Sequence, residues 1–147
     1  MSTKTLTFLA ALCLCTGNAA SQVAVIANKS VPIDEVKQAE LLDYYTGDIR
    51  RWNDKLPVVV FDLKPKEEIK ESFYKYLGKS TSRMKSIWMK NLLAGEGEPP
   101  EALESEDEIL AKVASTPGGI GFVRKEKVDK NVKVLLVIES ESDEKGQ

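Results

Sequence analysis

The chain has 147 residues, 30% of them charged, with 21 Lys or Arg against 23 Asp or Glu and a formal net charge of −2. That balance gives no sign of a general nucleic-acid binder. There is no histidine, and both cysteines, Cys13 and Cys15, lie near the start, which removes the usual general base, thiol nucleophile and thiolate metal sets from the rest of the chain.

Lys4 precedes an apolar run from Leu6 to Cys15, followed by Gly17-Asn18-Ala19-Ala20. This is the layout of a secretory signal, and the run is far short of the roughly 20 residues needed to span a bilayer. Residues 1–20 are therefore read as a signal peptide. Leu12 and Leu14 stand where a lipoprotein signal carries a small residue, so a freely soluble, periplasmic or secreted product is expected, with no membrane span after cleavage and no disulfide.

Val23–Ala27 is a short, β-branched apolar run ended by Asn28-Lys29-Ser30 and reads as a buried strand. Pro32 and Asp34 then open a helix, with Asp34 as N-cap, with Val36, Ala39, Leu42 and Tyr45 on one face, and with Gly47 as the end. An Asn53-Asp54 turn leads into a second strand over Leu56–Phe61. Two helices follow, one carrying Ile69, Phe73, Tyr76 and Leu77 up to Gly78, the other Met84, Ile87, Trp88 and Leu92 after Ser80 and Thr81. Gly95–Pro100 is a loop, because two prolines and two glycines oppose a helix there. Ser105-Glu106-Asp107-Glu108 is a capping-box pattern before Ile109, Leu110 and Val113. Pro117 and Gly118 turn the chain into a strand over Gly119–Val123, and Val132–Ile138 is a last apolar run. Residues 139–147 are charged or small and have nothing to bury, the composition of a disordered acidic tail. Strands alternating with helices predict one α/β unit over residues 21–138: a single three-layer lobe with a mostly parallel sheet and helices on both faces.

Two motifs carry a family resemblance: Tyr44-Tyr45-Thr46-Gly47 with Arg51-Trp52 and Asp54, and Pro117-Gly118-Gly119-Ile120-Gly121-Phe122. Together with Phe73, Leu77, Trp88 and Gly95-x-Gly97-x-Pro99-Pro100, they resemble a lobe of the type II periplasmic binding proteins, specifically the phosphate-binding component of ABC importers, over about Val23 to Val123. The closest likeness is to short, one-lobe secreted relatives. The resemblance implies a non-enzymatic solute-binding protein without a cofactor, whose ligand is a small anion such as phosphate. It also implies that a second lobe or partner protein completes the cleft, since a lone lobe encloses one side of a ligand.

The full-length family holds phosphate at a Ser-Gly-Thr turn opening the helix after the second strand. Here that stretch is Asp62-Leu63-Lys64-Pro65-Lys66-Glu67-Glu68, without a glycine or hydroxyl pair and with two carboxylates at the helix start. The remaining candidates are Asn28, Lys29 and Ser30, at the carboxyl end of the first strand, and the Thr116–Gly119 turn, where Thr116 and Gly118 can present backbone amides. For each, a ligand-facing role stands beside a structural one in turn and cap hydrogen bonds. Arg50, Arg51 and Trp52 form a basic-aromatic cluster whose Trp also fits a core position. Eight Lys or Arg against three Glu between Lys64 and Lys90, then seven acids and no base between Glu96 and Glu108, suit either solvated helix faces or a partner surface. An accessory protein-interaction module that has lost phosphate binding is the alternative to a solute-binding lobe.

Overall fold

The computed structural model describes residues 22–65 and 67–139. The expected signal peptide and all of the acidic tail beyond Glu139 lie outside the described residues. In chain order the elements are β1 (Val23–Ala27), α1 (Gln38–Thr46), β2 (Arg51–Asn53), β3 (Leu56–Pro57), β4 (Val59–Leu63), α2 (Glu68–Leu77), α3 (Thr81–Leu93), β5 (Glu101–Leu103), α4 (Glu106–Ser115), β6 (Gly119–Arg124) and β7 (Lys133–Ile138), with a 3₁₀ turn at Lys125–Lys127.

Five strands form one sheet in the order β5-β4-β6-β1-β7, and β2 pairs with β3 in a separate hairpin. β4 runs parallel to both β5 and β6, whereas β1 runs antiparallel to β6 and to β7. Four of the five strands thus point one way, the mostly parallel sheet that the alternation of elements predicts, and β1 lies reversed between two of them. All five β1 residues are buried, as a continuous apolar run in a strand covered on both faces should be.

Alternation along β6 divides the molecule into three layers. A Cβ on Gly121 would meet Ile109 Cγ2 at 2.8 Å, so this face of the strand lies close beneath α4. On the opposite face the Phe122 ring stacks on Phe73 of α2, with centroids 4.0 Å apart, and Tyr45 of α1 meets Phe73 edge-on at 4.8 Å. Tyr45, Phe73, Phe122, Ile109 and Val113 are fully buried. Helices therefore cover both faces.

Local signals account for most helix ends. Gly47 takes up φ 80° to close α1, Ser80 Oγ accepts from Arg83 N to start α3, and Ser105 Oγ accepts from Glu108 N to start α4. The helix opening at Asp34 does not occur: α1 begins at Gln38. Val36 N instead donates to Leu135 O of β7, which holds the segment before α1 against the sheet edge, and the Asp34 carboxylate accepts from Lys133 Nζ. The expected strand Leu56–Phe61 is split, because Val58 N turns aside to donate to Arg50 O. The loop at Gly95–Pro100 runs on into β5, a three-residue edge strand without an apolar run. α3 is the least buried helix; its Met84 is enclosed, but Leu92 is 45% and Leu93 80% exposed.

Candidate functional site

The two sequence motifs meet at the amino edge of β4 and β6. Trp52 Nε1 donates to Gly118 O at 2.9 Å, its ring lies 4.5 Å from that of Tyr44, and Val59 N donates to the same carbonyl. Trp52 is half-buried against the core. Arg50 and Arg51 lie at the surface, where Arg50 Nε donates to Gly47 O and Arg51 Nε to Asn53 O, so both guanidiniums tie down local turns.

All five candidate residues from the sequence, Asn28, Lys29, Ser30, Thr116 and Gly118, lie at this edge. Asn28 is buried, and its Nδ2 donates to Val113 O at 2.8 Å and Ala114 O at 2.9 Å while its Oδ1 accepts from Ser30 N. Ser30 Oγ accepts from Gly118 N at 3.0 Å, and Asn28 N donates to Gly119 O. The Asn28 amide therefore closes the C-terminal end of α4, and Ser30 takes up the Gly118 amide. Thr116 O accepts from Gly119 N, while Lys29 projects at the exposed surface. Because β1 is reversed, its carboxyl end lies at the amino edge of the other four strands. This is the opposite side from the carboxyl edge where open α/β sheets place ligands.

That carboxyl edge is formed by the ends of β4, β5 and β6 and by the starts of α2 and α4. Asp62 is buried there on β4. Its Oδ1 accepts from Leu63 N at 2.7 Å, and its Oδ2 accepts from the Tyr74 hydroxyl and lies 3.4 Å from Lys70 Nζ. Lys70 also donates to Leu63 O at 2.7 Å, and its ammonium sits 5.3 Å from the centre of the Tyr74 ring. Burial, followed by the Asp62 charge and hydrogen bond, pushes the Tyr74 phenol well above its ordinary range. Neither Lys70 nor Tyr74 was singled out by sequence reasoning. The available signal was Lys70 falling on the α2 stripe that buries Ile69, Phe73 and Leu77, a position where an ammonium needs a buried partner.

Carboxylates occupy backbone donors elsewhere along this edge. Glu106, buried in the first turn of α4, accepts from Arg124 N at 2.6 Å, and Glu108 accepts from Glu104 N at 2.9 Å. Lys64 pairs with Glu104 across the two loops. Glu67 and Glu68 stand at the start of α2, where they complement the helix dipole. A surface groove of about 520 Å³ lies between α1 and α3, lined among others by Leu42, Asp43, Lys79, Arg83, Lys90 and Asn91. Among the described residues no group of three potential metal ligands occurs, and no helix is long and apolar enough to cross a membrane.

No family model and no curated protein matches the sequence. Solved structures do. One from Clostridium perfringens, assigned as a phosphate ABC transporter substrate-binding protein and holding bound phosphate, aligns over 79% of this chain and 45% of its own, with 20% identity and a TM-score of 0.65. An ABC-type phosphate transport receptor from Vibrio cholerae aligns over 79% and 46%, with 19% identity and a TM-score of 0.63. PstS from Borrelia burgdorferi aligns over 78% and 47%, with 14% identity and a TM-score of 0.57. The chain thus spans under half the length of the structures it resembles. The three-layer arrangement is the fold that these phosphate-type substrate-binding proteins use over just under half of their length.

Proposed function

We propose that the protein acts by binding rather than catalysis, as an exported single lobe of the phosphate-type solute-binding architecture. On this reading it supplies one wall of a cleft that a second lobe or a partner protein completes, and the ligand is a small anion such as phosphate. The observation that carries it is the match of most of this chain to under half of proteins of that architecture, one of them with phosphate bound. Of the candidate residues, Lys29, exposed beside Ser30 and the Thr116–Gly118 turn, is the charged group offered to such an anion, which would then sit at the amino edge rather than at the carboxyl edge usual for open α/β sheets.

The test is calorimetry with inorganic phosphate and other oxyanions, paired with a measurement of mass in solution. Expected is saturable heat with phosphate that Lys29→Ala weakens without lowering stability. A strict monomer that gives no heat with any oxyanion overturns the reading. A second reading, an accessory protein-interaction module that has lost phosphate binding, is supported by Asp62, Glu106 and Glu108 filling amide donors along the carboxyl edge. Under it the purified chain gives no oxyanion heat, alone or with a protein partner.

A further inference from the structure

Three donors converge on one buried point at the end of β4. The Leu63 amide reaches Asp62 Oδ1 at 2.7 Å, while the Tyr74 hydroxyl and the Lys70 ammonium, 3.4 Å away, both address Oδ2. The side chains of Lys70 and Asp62 are only 9% and 8% exposed. The donors come from two elements: Leu63 is on β4, and Lys70 and Tyr74 lie one turn apart on α2. A backbone amide, a hydroxyl and an ammonium that share two oxygens make the donor set of an oxyanion site. The Lys70 ammonium is also fixed by Leu63 O at 2.7 Å, so it does not depend on the carboxylate alone for its position.

We propose that this cage is an oxyanion-binding site filled by the chain's own Asp62 carboxylate, and that Asp62 is the residue that closes this edge to an external anion. Truncating Asp62 to alanine removes one carboxylate group and leaves the Lys70 amine buried without its counter-ion, the situation in which an incoming anion is strongly favoured. The space vacated has the size and planarity of formate. The inference stands apart from the proposed function, because it concerns donors that a phosphate bound near Lys29 would not touch.

The experiment compares wild type, Asp62→Ala and Asp62→Ala/Lys70→Met by thermal unfolding in sodium formate and in sodium chloride of equal ionic strength. Asp62→Ala is expected to melt below wild type in chloride and to regain about 5 °C or more in saturating formate. Wild type and the double variant should show no formate-specific rise. A folded Asp62→Ala that responds equally to both salts overturns the proposal, as does a double variant that responds to formate as strongly as the single one. Should Asp62→Ala fail to fold in chloride, refolding from urea reads the same question: recovery in formate alone supports the site, and failure in both salts overturns it.

Discussion

Gly118 concentrates more of the fold at one position than any other residue at the amino edge. Its φ of 77° lies in the left-handed region, and a Cβ there would sit 2.1 Å from Pro57 O, a backbone atom that cannot swing away. Its carbonyl meanwhile receives both Trp52 Nε1 and Val59 N, and its amide donates to Ser30 Oγ. Gly118→Ala adds a left-handed penalty of about 1–2 kcal/mol for a residue with a Cβ to a clash that must move the β3 backbone, for a loss of about 3 kcal/mol or more. Urea unfolding measures it, and a loss under about 1 kcal/mol would mean that the turn relaxes freely. The turn itself was legible as Pro-Gly-Gly. Its partners were not, because Ser30 and Trp52 lie 88 and 66 residues away, and no local pattern encodes a hydrogen bond of that separation. For the same reason Asn28 was readable as a turn residue but not as the clamp on the carbonyls of Val113 and Ala114.

Elements were legible where the sequence carries a local cause. α4 is the clearest case: Ser105 accepts from the Glu108 amide in its first turn, Glu108 accepts from the Glu104 amide just before the helix, and Ile109 and Val113 form its buried stripe. Removing the cap with Ser105→Ala should cost about 1 kcal/mol, read as a shift in the urea midpoint at unchanged slope. A change within about 0.2 kcal/mol would show that the packing of Ile109 and Val113 alone sets the helix start. β5 and β2 were missed because neither has an apolar run, and β3 was read as the start of the Leu56–Phe61 strand; β5 exists by pairing Glu101, Ala102 and Leu103 with Phe61, Asp62 and Leu63. The direction of β1 was equally hidden. A buried strand reads the same whichever way it runs, and its reversal is fixed by pairing with β6 and β7 near the other end of the chain. That one unreadable fact moved Asn28, Lys29 and Ser30 from the edge where ligands usually sit to the opposite one. Conversely, the absence of a glycine or hydroxyl pair from Asp62–Glu68 was readable residue by residue, while the Lys70–Tyr74 cage around Asp62 required the fold.

The layered core gives the whole molecule a pH dependence that its surface charges do not suggest. Tyr45 is fully buried between α1, α2 and β6, with its hydroxyl donating to Phe61 O, and Tyr74 donates to Asp62. Loss of hydration is the main reason that both phenols are raised, with the Asp62 charge adding to it. In the unfolded chain a tyrosine ionises near pH 10, so above that pH the unfolded state has released protons that the folded state still holds. Stability contributed by these two groups is therefore fully present below about pH 10 and declines as pH rises, by up to roughly 1.4 kcal/mol per pH unit for each tyrosine. Urea midpoints measured from pH 8 to pH 11 should be level with respect to these groups at first and then fall. Other groups titrate in the same range, so the comparison with Tyr45→Phe isolates the effect: removing one ionisable phenol should make the fall shallower by about one proton. A Tyr45→Phe profile parallel to that of the wild type across this range would mean that Tyr45 reaches solvent and ionises before the molecule unfolds, which a ring closed between two helices and the sheet does not permit.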